Sequence, residues 1–82
     1  GLDEREALSG IQFLHQSGTQ QIQVSSKDVV DLKVYSASGS LVLEQNNLMG
    51  VNKVHLGLSS GVYVVHLTSG KTSFIERIWV QQ

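Results

Sequence analysis

From Ile11 onward, apolar and polar residues alternate one by one, in runs too short for a helix to use. Ile11 and Phe13 straddle Gln12, Ile22 and Val24 alternate with Gln21 and Gln23, and Leu32 and Val34 flank Lys33. A period of two puts the apolar side chains of a run on one side of an extended strand. Seven such runs are legible, and strands are expected at Ile11–Phe13, Gln21–Val24, Leu32–Tyr35, Leu41–Glu44, Val51–Leu56, Val62–Thr68 and Ser73–Val80. Turn-forming segments separate them: His15 to Gly18, Ser25 to Asp28, Ser36 to Gly39, Gln45 to Gly50, Gly57 to Ser60 and Ser69 to Lys71. Short β-branched runs at this spacing predict an all-β sandwich or barrel.

With 82 residues the chain is one domain at most. A chain of this size buries about 60–65% of the surface its unfolded form exposes, so modest stability is expected. Gly1 to Ser9 is acidic and polar. Glu4 to Leu8 are good helix formers able to make one turn, but the segment reads as a linker to an upstream parent domain, with the sandwich at residues 10–82. The chain begins without Met and has no basic region before an apolar run, so it is expected to be a processed piece of something longer.

Composition narrows the functions. The formal net charge is -1, and the basic residues are spread thinly. Clustered cations that track phosphates are missing, so a nucleic-acid partner is not expected. Nor is a polybasic membrane patch or direct membrane insertion. There is no cysteine, which removes disulfides, thiolate nucleophiles and cysteine-bound zinc. There is also no proline, so edge strands need another protection; Lys33, Lys53 and Arg77 are candidates for it.

Candidate chemistry is sparse. His15, His55 and His66 are the only imidazoles; His55 and His66 lie on late strands, but no acid joins them at metal-ligand spacing. The serine-bearing turns at Ser36 to Gly39 and Ser59 to Gly61 lack the strand-to-helix setting of a nucleophile elbow. The carboxylates are dispersed, which leaves no acid–base pair. Asp28 and Asp31 flank a loop, where solvated acids are far commoner than calcium ligands. Leu48 and Met49 form an apolar pair within a polar stretch, suited to capping the core or to a sticky contact. No catalysis, metal or cofactor is expected.

The run Leu58-Ser59-Ser60-Gly61-Val62-Tyr63 carries a local motif. A tyrosine near the start of a late strand buries its ring at a sandwich end when its hydroxyl returns to backbone upstream. Tyr63 is expected to form such a corner, with Leu58 packing beneath it and Gly61 permitting the bend. Gly39 is expected to take positive φ in the turn between the third and fourth strands.

Four segments in series resemble the C-terminal sorting domains of cargo proteins of the type IX (Por) secretion system of Gram-negative bacteria. They are Leu32 to Val42, Gly50 to Leu56, Leu58 to Val65, and Ile75 to Val80, in the family's order and spacing over about two thirds of the chain. The family's Tyr-Pro-Asn-Pro-like segment has no counterpart; Phe13-Leu14-His15-Gln16 stands in its place. Ser36 and Ser40 replace the usual acid and arginine of the hairpin, and Arg77 replaces the usual lysine of the last strand.

The resemblance implies a seven-stranded immunoglobulin-like Greek-key sandwich and a non-enzymatic export signal. Its parent protein would pass through the periplasm and cross the outer membrane to the cell surface or medium. The implied partners are the outer-membrane translocon, a shuttle protein and a sortase. Recognition maps onto the last residues: Arg77, Ile78, Trp79, Val80, Gln81 and Gln82. The expected means is strand addition to an exposed terminal strand, with Ile78 and Val80 in the core and Arg77 and Trp79 partly available. An open terminal strand also allows pairing with a second copy. The alternative is an immunoglobulin-like module binding carbohydrate or protein, appended to a surface enzyme or adhesin.

Overall fold

The computed structural model describes residues 10–82 together with the backbone of Arg5 and Glu6. The strands are β1 (Arg5–Glu6), β2 (Gln12–His15), β3 (Gln21–Ser36), β4 (Leu41–His55), β5 (Gly61–Ser69) and β6 (Thr72–Val80). Every strand pairing is antiparallel, and the described residues contain no helix. The expected linker lies outside the described residues, except for the β1 backbone, which pairs with β2.

Of the seven expected strands five are found, β2 to β6, because two pairs of expected strands are each one continuous strand; β1 is a sixth strand, in the segment expected to be a linker. Ser25 to Asp28 is not a loop; it lies within β3. Gln45 to Gly50 is likewise inside β4. The polar breaks are register shifts rather than exits from the sheet: the β3–β4 ladder slips between Ser26 and Val30 and again before Leu32. Such bulges bend a strand without ending it. On β4 the same corner is turned at Asn47 (φ 61) and Gly50 (φ 78). Asp31 Oδ1 accepts the Asn47 amide at 3.0 Å, and the Ser69 hydroxyl donates to the Val29 carbonyl at 2.8 Å.

The bend divides β3 between two sets of neighbours. Its first part, through Ser26, pairs with β2 and with the Gly50–His55 half of β4. Its second part, from Val30, pairs with the Leu41–Leu48 half of β4 and, from Asp31, with β5, which pairs in turn with β6. The sheet therefore curls over itself, with β3 at its centre, paired to β2, β4 and β5. Phe13 of β2 and Phe74 of β6 meet across the fold with ring centroids 5.9 Å apart.

The inward positions fill one core. Ile11, Phe13, Ile22 and Val24 come from one part of the curl; Val30, Leu32, Val34, Val65, Leu67, Ile78 and Val80 come from the other. Burying each of these side chains contributes about 1.5–3 kcal/mol relative to exposure. Lys33 is corrected as an edge guard, since β3 is flanked on both sides there by β4 and β5. Among the described residues, Lys53 and Arg77 do sit on strands with a free edge, β4 and β6.

Candidate functional site

β6 runs along β5 in unbroken register, from Ser69 opposite Thr72 to Gly61 opposite Val80. Period two sends Phe74, Ile78 and Val80 toward the core and Ile75, Arg77 and Trp79 outward. Ile78 and Val80 are 5% and 0% exposed, while Trp79 is 44% exposed. Arg77, Gln81 and Gln82 are also exposed.

The free edge of β6 is closed at its carboxyl end. The Gly18 amide donates to the Trp79 carbonyl at 2.8 Å, and the Gln81 amide donates to the Gly18 carbonyl at 3.1 Å. This pair of bonds makes a parallel bridge between Gly18 and Val80. The expectation of an open terminal strand is therefore corrected for its last residues: backbone groups of Trp79 and Gln81 already have partners in the β2–β3 turn. The turn can approach because Gly18 has φ +87 and no side chain; a Cβ there would stand 3.0 Å from Trp79 Cζ3.

Gln20 joins this turn to the loop before β5. Its Oε1 accepts the Leu58 amide at 2.9 Å, and its Nε2 donates to the Leu58 carbonyl at 2.8 Å and the Gln81 carbonyl at 3.1 Å. The Gln82 amide donates to Ser60 Oγ at 2.8 Å. Both residues after β6 are thus tied to neighbouring loops. His15 supports the same turn: it is buried, and its Nε2 lies 3.0 Å from the Thr19 carbonyl.

The motif residues lie close to this end. The Tyr63 hydroxyl donates to the Ser59 carbonyl at 2.7 Å, and its ring is buried in the core. Leu58 is half-buried and packs against that core. Gly61 corrects one detail: it is the first residue of β5 and takes no left-handed φ. A Cβ on Gly61 would meet the Tyr63 ring at an ordinary 3.7 Å. Gly39 has φ 93 in the β3–β4 hairpin, where its amide donates to the Ser36 carbonyl at 2.9 Å. Ser36 pairs with Tyr63, so the hairpin sits beside the start of β5.

The sequence offers no sign of the tethering roles of Gly18, Gln20 and Ser60. Turn chemistry flagged Gly18, but no local signal says which distant backbone a turn will meet. The catalytic candidates do not converge. Among the described residues no histidine is bonded to a serine, and no group of three or more His, Asp or Glu could hold a metal ion. His55 pairs with Gln21 on one outer face, whereas His66 pairs with Lys33 and Ile75 on the other. Asp31 is committed to the Asn47 amide. Of the apolar pair on β4, Leu48 packs on the core and Met49 is 61% exposed.

The family model for the secretion system C-terminal sorting domain matches residues 17–81. That span starts at the β2–β3 turn and runs through β6, so it contains Gly18, Gln20, Leu58, Ser60, Trp79 and Gln81, while His15 and Gln82 lie outside it. Among curated proteins, none matches the chain.

Proposed function

The chain belongs to the family of secretion system C-terminal sorting domains, and from that premise we propose that it acts as a folded address label, without catalytic activity of its own. It is a type IX secretion sorting signal, and its family directs export across the outer membrane to the cell surface or medium. The parent protein reaches the periplasm by a signal of its own and is then handed to the translocon, with a shuttle protein and a sortase acting at the surface. Arg77 to Gln82 form the part that the machinery recognises. We read the curled sheet as a variant of the seven-stranded immunoglobulin-like Greek-key sandwich that the resemblance implies, a reading supported by β3 and β4 each supplying two segments.

The observation that carries this reading is the family match across the whole β3–β6 assembly, including the tethered last strand. The rival binding module has little support. A carbohydrate platform needs several exposed aromatic rings, but Phe13 and Tyr63 are buried, Tyr35 and Phe74 are half-buried, and only Trp79 is exposed.

The test is a fusion of Gly1 to Gln82 behind a periplasmic reporter in a host that has the secretion machinery. Reporter on the cell surface, lost in a translocon-deficient strain, is the expected result. A reporter retained in the periplasm of the competent host removes the reading.

A further inference from the structure

Strand register assembles an outward face on β3, β5 and β6 that, apart from the Trp79 ring against Gly18, the anchoring of the carboxyl end does not use. Val62 stands opposite Trp79, Val64 opposite Arg77, and His66 opposite Ile75. Tyr35 continues the Val64–Arg77 row on the next strand. Val62, Trp79 and Ile75 are 41%, 44% and 64% exposed. Apolar residues scattered singly on a surface carry no meaning, but a contiguous set aligned by register marks a contact surface. The outer face of β2 and the first part of β3 is more mixed: Gln12 lies opposite Ser25, which faces the exposed Val51, and Leu14 lies opposite Gln23, which faces Lys53.

Arg77 lies inside the apolar set. Its neighbours on the face are Val64 across the strand, Val62 and His66 on the diagonals, and Ile75 and Trp79 along β6. None is acidic, and the guanidinium has no hydrogen bond or ion pair among the described residues. A partner that covers this face removes water from the guanidinium and must offer it a carboxylate, the planar match for its forked donors. Reading by strand addition is restricted at the same place, because Gly18 already holds the Trp79 carbonyl and the Gln81 amide.

We propose that the outward face formed by Val62, Val64, Ile75, Arg77 and Trp79 is the docking surface for a protein receptor of the export machinery, which presents an apolar ridge bearing a carboxylate for Arg77. The inference rests on the sorting-signal reading and deepens it. It replaces backbone addition along the β6 edge with side-chain recognition across two strands.

Val62 separates the two modes, since it lies on β5, one strand in from the edge. The experiment uses the reporter fusion with Val62→Ser, Val62→Thr, Ile75→Ser, Arg77→Glu and Arg77→Lys, and with Gln23→Ser as a variant of the opposite face. Melting of each purified 82-residue chain accompanies it. Val62→Thr keeps the branched shape that strands favour, so one β5 variant stays folded. Surface export is expected to fall about tenfold for Val62→Ser and Ile75→Ser, the loss typical of a residue central to an interface. Arg77→Glu should lose more than Arg77→Lys, and Gln23→Ser should export normally. Export that ignores both Val62 substitutions in folded chains overturns the docking face in favour of the strand edge. A dimer of the purified chain that Val62→Ser dissociates, seen by sedimentation, assigns the face to a second copy and also overturns it. Failure of the unaltered fusion to reach the surface removes the sorting-signal reading itself, a result distinct from both.

Discussion

Gly18 and Trp79 are 61 positions apart, yet the Gly18 amide donates to the Trp79 carbonyl at 2.8 Å, and an added Cβ on Gly18 would lie 3.0 Å from the Trp79 ring. One small residue therefore sets both the backbone pairing and the indole position at the end of β6. Gly18→Ala places an L side chain at φ +87 and against that ring. A loss of about 1–2 kcal/mol is expected from the conformation alone. Trp79 is the only tryptophan, so a shift in intrinsic fluorescence should accompany the lower melting temperature.

Gln20 holds Leu58 from both sides and reaches Gln81 as well. Gln20→Ala leaves the Leu58 amide without that acceptor in a partly buried site. The expected cost is about 1–3 kcal/mol, the penalty for an orphaned buried donor together with the bonds lost. Amide hydrogen exchange checks it: Leu58 and its neighbours should exchange faster, while β3 stays protected.

Tyr63→Phe removes one hydrogen bond, that to the Ser59 carbonyl, and keeps the buried ring. A loss of roughly 1 kcal/mol is expected, or about 4–8 °C in a domain of this size. An unchanged melting point would show that the hydroxyl contributes nothing.

Asn47 sits at φ 61 where β4 turns the corner, and its amide, not its side chain, meets Asp31. Asn47→Gly keeps that bond and relieves the left-handed strain, so denaturant unfolding should show equal or slightly higher stability. Asn47→Val should cost roughly 1–2 kcal/mol, because a β-branched residue resists that region.

Removing Trp79 to Gln82 deletes the buried Val80 along with every carboxyl-end tether. Export of the reporter fusion should stop. Val80→Ala in the full chain isolates the packing loss, expected at about 1–3 kcal/mol. Normal export of the truncated fusion would place the recognition determinants upstream of Trp79.

The inward set was legible because alternation is a local property. Ile11 and Phe13, Ile22 and Val24, Leu32 and Val34, and Ile78 and Val80 all face the core. Strand boundaries were less legible, since a bulge and a loop look alike in sequence. Ser25 to Asp28 interrupts the alternation with polar residues, yet Ser25 and Ser26 stay paired with β4 and the ladder resumes at Val30. The same physics moved Lys33 from an expected edge to the middle of the sheet: a residue's type shows which face it suits, not how many strands flank it. The tether from Gly18 to β6 was not legible, because it joins segments whose proximity depends on the complete curl.

β3 passes from one part of the curl to the other without a break, and its pairings with β2, β4 and β5 hold both parts. Neither part can open without stripping hydrogen bonds from a strand the other needs. Melting should accordingly occur in a single step. If the sorting signal is read in its folded form, a damaged copy would lose its whole readable shape at once rather than piece by piece.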